Sequence, residues 1–193
     1  MATPTDRHWG TVKGMLRYIR GTMEDGIQFE PQDANRELAV YCVADWAGCH
    51  QTRASTLGMV ILYNGSPISW WSARQKCIAT SSFETEFVSG LMAAQEVRLI
   101  RSILMEIDET AIKEVTKMYI DNNGAMELAK NDKTSKKSKH IDIRYHHLRQ
   151  CVTDKEIAVE RVASVENPAD MFTKPLDKVK FAKFKEMVGV NAV

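Results

Sequence analysis

Residues 38–72 read LAVYCVADWAGCHQTRASTLGMVILYNGSPISWWS, and this stretch decides the fold. LAVYCVAD (38–45) and LGMVILY (57–63) are β-rich runs separated by the polar loop CHQTRAS (49–55). The second run closes on Asn64-Gly65, a dipeptide whose two residues both tolerate positive φ and therefore make a tight hairpin. PISWWS (67–72) then starts a third strand. Three strands joined this closely form an antiparallel meander. Trp70 and Trp71 alternate across the third strand, so one faces the core and the other faces out.

Away from this stretch the period changes. Ser81 or Ser82 caps a long helix whose apolar stripe runs Phe87, Leu91, Ala94, Val97, Ile100, Leu104 and Ile107, at the three- and four-residue intervals of one helix face. VTKMYI (115–120) is a fourth strand, followed by a short helix through Ala125, Leu128 and Ala129 and a helix over 141–152. AVERVASV (158–165) alternates as a fifth strand, and Asn167-Pro168 opens a last short helix. On the N-terminal side, Trp9, Val12, Leu16 and Ile19 mark an amphipathic helix over 8–22. Antiparallel strands followed by helix-linked returns predict an α/β fold, a five-stranded mixed sheet flanked by helices.

Composition bounds the function classes. The chain has 193 residues, 44% of them apolar, enough for one domain with an appendage. Its four cysteines form no C-x-x-C pair, there is no signal-peptide pattern, and the longest apolar run is far short of a bilayer span. These features predict an intracellular protein with free thiols, neither secreted nor membrane-bound. The net charge of +1 says little, because clustering is what marks a polyanion partner. One cluster is plain: KNDKTSKKSK (130–139) sets five lysines against one aspartate with no apolar anchor.

Three carboxylates map to one end of the expected sheet. Asp121 ends the fourth strand, Glu86 lies one turn into the long helix, and Asp170 sits in the opening turn of the last helix. Each also has a purely structural reading, as a first-turn residue favoured by the helix dipole or as a turn former. His140, His146 and His147 do not share one helix face and make a poor metal set.

In HWGTVKGMLRYIRGT (8–22), ADWAG (44–48), RASTLGMVILYNGSPISWWSARQK (53–76), SSFETEF (81–87), YIDNNGAMELAKN (119–131), KHIDIRYHHLRQ (139–150) and ENPADMFTKPL (166–176), the chain resembles the C-terminal end of a copia-type retrotransposon polyprotein. These stretches cover nearly the whole chain in family order. The resemblance implies the tail of a reverse transcriptase over 1–34, a ribonuclease H-like domain over 35–177 and a C-terminal helical tail over 178–193. It implies an endonuclease cutting the RNA strand of RNA–DNA hybrids with two Mg²⁺ or Mn²⁺ ions, one preparing the attacking water and the other steadying the leaving oxygen. The family's metal-binding carboxylates fall on Glu86, Asp121 and Asp170. Its first-strand aspartate falls on Val43, which offers no oxygen, so hydrolysis is expected to be impaired. Asp45 shares a face with Val43 but lies about 6.6–6.8 Å further along the strand, and is the candidate substitute.

The resemblance also places the lysine segment where many ribonucleases H carry a basic protrusion. Lys130, Lys133, Lys136, Lys137 and Lys139 are therefore expected to hold nucleic acid through its phosphates, with Arg53, Ser55, Asn64 and Gln75 as further contacts. The reverse transcriptase domain is the expected protein partner. The alternative is a domesticated, catalytically inactive module on the same fold that binds nucleic acid or protein.

Overall fold

The computed structural model describes residues 3–27, 29, 36–49, 52–75, 81–121 and 139–192, without the side chains of 139–145. The meander forms as its sequence dictates. β2 (Leu38–Asp45) pairs antiparallel with β3 (Thr56–Tyr63), and β3 with β4 (Ser66–Arg74). Asn64 and Gly65 both adopt positive φ, at 50° and 79°, as the tight hairpin requires. β5 (Thr116–Ile120) then adds parallel to β2, and β6 (Ile157–Arg161) parallel to β5, giving the order β4-β3-β2-β5-β6. The fifth strand is shorter than its alternating sequence predicts, because Ser164–Glu166 turns into a 3-10 helix.

One face of the sheet is covered by α2 (Ser82–Ile107), capped by the Ser81 hydroxyl, which accepts from the Glu84 N–H. Leu38, Val40 and Cys42 of β2 and Met59 and Ile61 of β3 point into it, against Phe87, Leu91, Ala94 and Val97. The stripe continues only partway: Ile100 and Leu104 are partly buried, and Ile107 is 76% exposed. Trp71 packs against this core while Trp70 faces out, the alternation expected of the strand. α3 (Lys139–Thr153) packs on α2 and β6.

The opposite face is covered at one end by a 3-10 turn, Pro168–Phe172. The short helix expected from Asn167-Pro168 is this 3-10 turn, and the tail expected to be helical over 178–193 forms α4 (Lys178–Met187) and then a short strand at its end. Gly58 lets the turn approach: a Cβ there would stand 2.8 Å from the Ala169 carbonyl oxygen and 2.7 Å from Thr173 Cγ2. Because one of those atoms is backbone, Gly58→Ala should lift the turn and cost about 1–3 kcal/mol in chemical denaturation.

α1 (Asp6–Gly21) buries none of its residues; Trp9, Leu16 and Ile19 are each more than half exposed. Its connection to the rest runs through β1 (Asp25–Ile27), which pairs antiparallel with β7 (Val190–Ala192). A Tyr18–Phe181 edge contact and a Lys185–Asp25 ion pair of 2.5 Å reinforce the clasp. Among the described residues no helix is long and apolar enough to cross a membrane.

Candidate functional site

β2, β5 and β6 run parallel, so their C-terminal ends share one rim, the place where open α/β sheets bind ligands. β2 and β5 stay paired only as far as Tyr41 and Tyr119. Beyond that the strands part, and buried main-chain groups of β2 need other partners. Three side chains supply them. Asn167 Nδ2 donates to the Cys42 carbonyl at 3.1 Å, Ser89 Oγ donates to the Val43 carbonyl at 3.0 Å, and the Ala44 N–H donates to Glu86 Oε1 at 3.0 Å. The fork between the strands thereby fixes Glu86 from α2 and Asn167 from the opposite face.

Glu86 is 6% exposed, and its second oxygen, Oε2, is buried with no hydrogen-bond partner among the described residues. Burial, then the Asp121 charge, push its pKa up to about 8; the Ala44 N–H and Lys174 work against this, and Asp170 adds to it. Glu86 thus feels the charges of both Asp121 and Asp170 at this rim. The Cys42 thiol lies in the same field: burial, Glu86 and Asp121 all push its pKa up, so it is an inert core thiol.

Asp121 accepts a hydrogen bond from Ser164 Oγ at 2.9 Å. Asp170 is fully buried and sits between two lysines. Lys180 Nζ donates to Oδ2 at 2.7 Å, and Lys174 Nζ lies 2.8 Å from Oδ1 as an ion pair without hydrogen-bond alignment. Lys174 was visible in the sequence as an i+4 neighbour on ADMFTK. Lys180 and Ser164 were not, since only the chain's return brings them to the rim.

Val43 is 2% exposed and pairs with Gly58, so its side chain shares the face covered by the turn that carries Asp170. Asp45 points to that face too, but its carboxylate folds back over its own turn, where a Cβ on Gly48 would stand 1.9 Å from Oδ2. The glycine of ADWAG is what leaves room for that conformation. Ser55 is buried in the same turn: its hydroxyl accepts from the Ala47 N–H at 3.1 Å and lies 3.4 Å from Thr85 Oγ1. Arg53 is exposed beside it, and Gln75 closes the end of β4 with its N–H on the Ser55 carbonyl. Asn64 belongs to the hairpin at the other end of the sheet, where it bonds Glu37. Lys130, Lys133, Lys136 and Lys137 and the short helix through Ala125 lie outside the described residues, as does the side chain of Lys139.

The family resemblance implies two divalent ions here. The unpartnered Oε2 of Glu86 beside Asp121 is the kind of oxygen a cation would take. The other corner is different: Val43 brings no oxygen and both oxygens of Asp170 face ammonium groups. Among the described residues no group of three or more His, Cys, Asp and Glu side chains is arranged to hold a metal. As they stand, these residues do not fit a two-ion set.

Over its whole length the chain is 36% identical to a retrovirus-related Pol polyprotein from transposon TNT 1-94 of Nicotiana tabacum, and 36% identical to one from transposon RE2 of Arabidopsis thaliana. The relatives it resembles along its whole length are Pol polyproteins of copia-type transposons. It spans 14% and 13% of the length of these two relatives. No protein-family model matches it. The five-stranded mixed sheet of this chain is the ribonuclease H-like fold. LC11-RNase H1, isolated from compost by a metagenomic approach, superposes with a TM-score of 0.54 at 11% identity, covering 72% of this chain and 94% of its own. The same enzyme in complex with an RNA/DNA hybrid gives 0.52 at 11% identity, covering 71% and 94%.

Proposed function

We propose that this Pol segment is a ribonuclease H domain that holds RNA–DNA hybrids across the rim of β2, β5 and β6 but cleaves their RNA strand very weakly. The observation that carries the reading is Val43. It is buried at the fork, beside the turn of Asp170 and next to the residue that anchors Glu86, and it supplies no oxygen there. The electrostatic coupling of Glu86 to Asp121 and Asp170 at one rim supports descent from a metal-dependent nuclease. Hybrid binding is supported by the fold shared with LC11-RNase H1, and the lysines of 130–139 would add phosphate contacts that carry no sequence information. The lysine pairing of Asp170 favours the second reading as well, a binding module with no hydrolysis at all.

Residues 1–34 are read as the connection to the reverse transcriptase part of Pol. The bare apolar face of α1 and the cleft of about 540 Å³ beside it, lined by Tyr18, Ile27, Trp70, Phe172 and Phe181, support a contact with that part.

The test uses the purified chain and a labelled RNA–DNA hybrid. In EDTA the hybrid should bind, with an affinity that falls as salt rises. Titration with Mg²⁺ or Mn²⁺ should yield little or no cleavage. Robust cleavage that Asp121→Asn abolishes would refute the impairment, and absence of hybrid binding would refute the binding role.

A further inference from the structure

We propose that Lys174 and Lys180 take the place of a divalent cation at Asp170, so that the chain neutralises this corner of the site itself and keeps it closed to metal. The inference rests on the reading above only for the identity of the rim. Asp170 is held rigidly: its carbonyl accepts from the Thr173 and Lys174 N–H groups and from the Thr173 hydroxyl, and its side chain is fully buried. A buried carboxylate needs a counter-charge, and a pair of hydrogen-bonded or ion-paired partners meets that need as a metal would.

The lysines are themselves positioned. Lys180 stands in the first turn of α4, where the Asp177 carboxylate accepts from the Val179 and Lys180 N–H groups and sets the helix start. Its ammonium lies 5.2 Å over the ring of Phe184, which is fully buried, and its side chain is 24% exposed. Lys174 follows from the turn itself at i+4 and reaches the other oxygen. A divalent ion must approach carboxylate oxygens to about 2.0–2.1 Å for Mg²⁺ and would meet both ammonium groups there. Across the fork, where a further carboxylate would tip the balance toward metal, stands Val43.

Amine acetylation of the full chain, read residue by residue by mass spectrometry, tests this without any substitution. Lys180 should label about tenfold more slowly than exposed Lys178, and added Mg²⁺ should change the rates of Lys180 and Lys174 by less than about twofold. A second measurement follows Mn²⁺ uptake by electron paramagnetic resonance. Asp170→Asn should leave uptake within about twofold of the parent, whether the parent's uptake is measurable or nil. Mg²⁺ that speeds labelling of Lys180 or Lys174 by about fivefold or more, or Asp170→Asn that weakens Mn²⁺ uptake about tenfold, would overturn the proposal. Neither readout involves hybrid, so loss of hybrid binding would remove the proposed function and leave this inference standing.

Discussion

Val43→Asp should raise Mg²⁺-dependent cleavage of an RNA–DNA hybrid at least about a hundredfold over the parent, which corresponds to roughly 2.7 kcal/mol off the barrier. The position is buried between the anchor of Glu86 and the turn of Asp170, so an aspartate there adds the oxygens that the proposed reading finds missing. The same substitution should lower stability in EDTA. It buries a charge beside Glu86, Asp121 and Asp170, and an uncompensated buried charge costs about 3–5 kcal/mol. At about 2–4 °C per kcal/mol for a domain of this size, melting should fall by roughly 10 °C and recover in part with Mg²⁺. Quantitative hybrid cleavage and thermal unfolding with and without Mg²⁺ check both halves. A folded, Mg²⁺-responsive variant that still does not cleave would shift the defect from Val43 to the lysine pair on Asp170.

Glu86→Gln should make the protein more stable above neutral pH and flatten its pH profile. The carboxyl titrates near 4.5 when unfolded and about 8 when folded, so between those values the native state keeps a proton that the unfolded chain has lost. Stability therefore falls as pH rises from about 4.5 to about 8 and is level beyond, by on the order of 4–5 kcal/mol in total. Glutamine keeps the acceptor for the Ala44 N–H and carries no charge, so the fall disappears. Urea unfolding in EDTA from pH 5 to pH 9 should show the parent losing stability and the variant holding it. Parallel curves would show that Glu86 is not what the acidic rim strains.

The meander and the parallel returns were legible because each strand announces its period, and because Asn64-Gly65 and the Ser81 cap fix where the chain turns. The expectation that Glu86, Asp121 and Asp170 lie at one end of the sheet followed from that topology. What stayed hidden depends on contacts that carry no period. Cys42 and Val43 are adjacent and both buried, since α2 covers one face of β2 at this point and the Pro168–Phe172 turn covers the other. Alternation alone would have sent one of them to solvent. The folding of Asp45 over Gly48 is a local turn choice that no strand geometry anticipates. Lys180 reaches Asp170 only because the chain reverses between the turn and α4, and the three-residue strands of the clasp are too short to leave a pattern.

That clasp has a kinetic corollary. Asp25 and Lys185 meet across a separation of 160 residues, and the ladder they flank has three rungs. So distant a closure sacrifices chain entropy that three pairs of residues cannot repay alone, so the sheet must assemble first and bring the ends close. Among the described elements, α1 should thus dock last during folding and let go first.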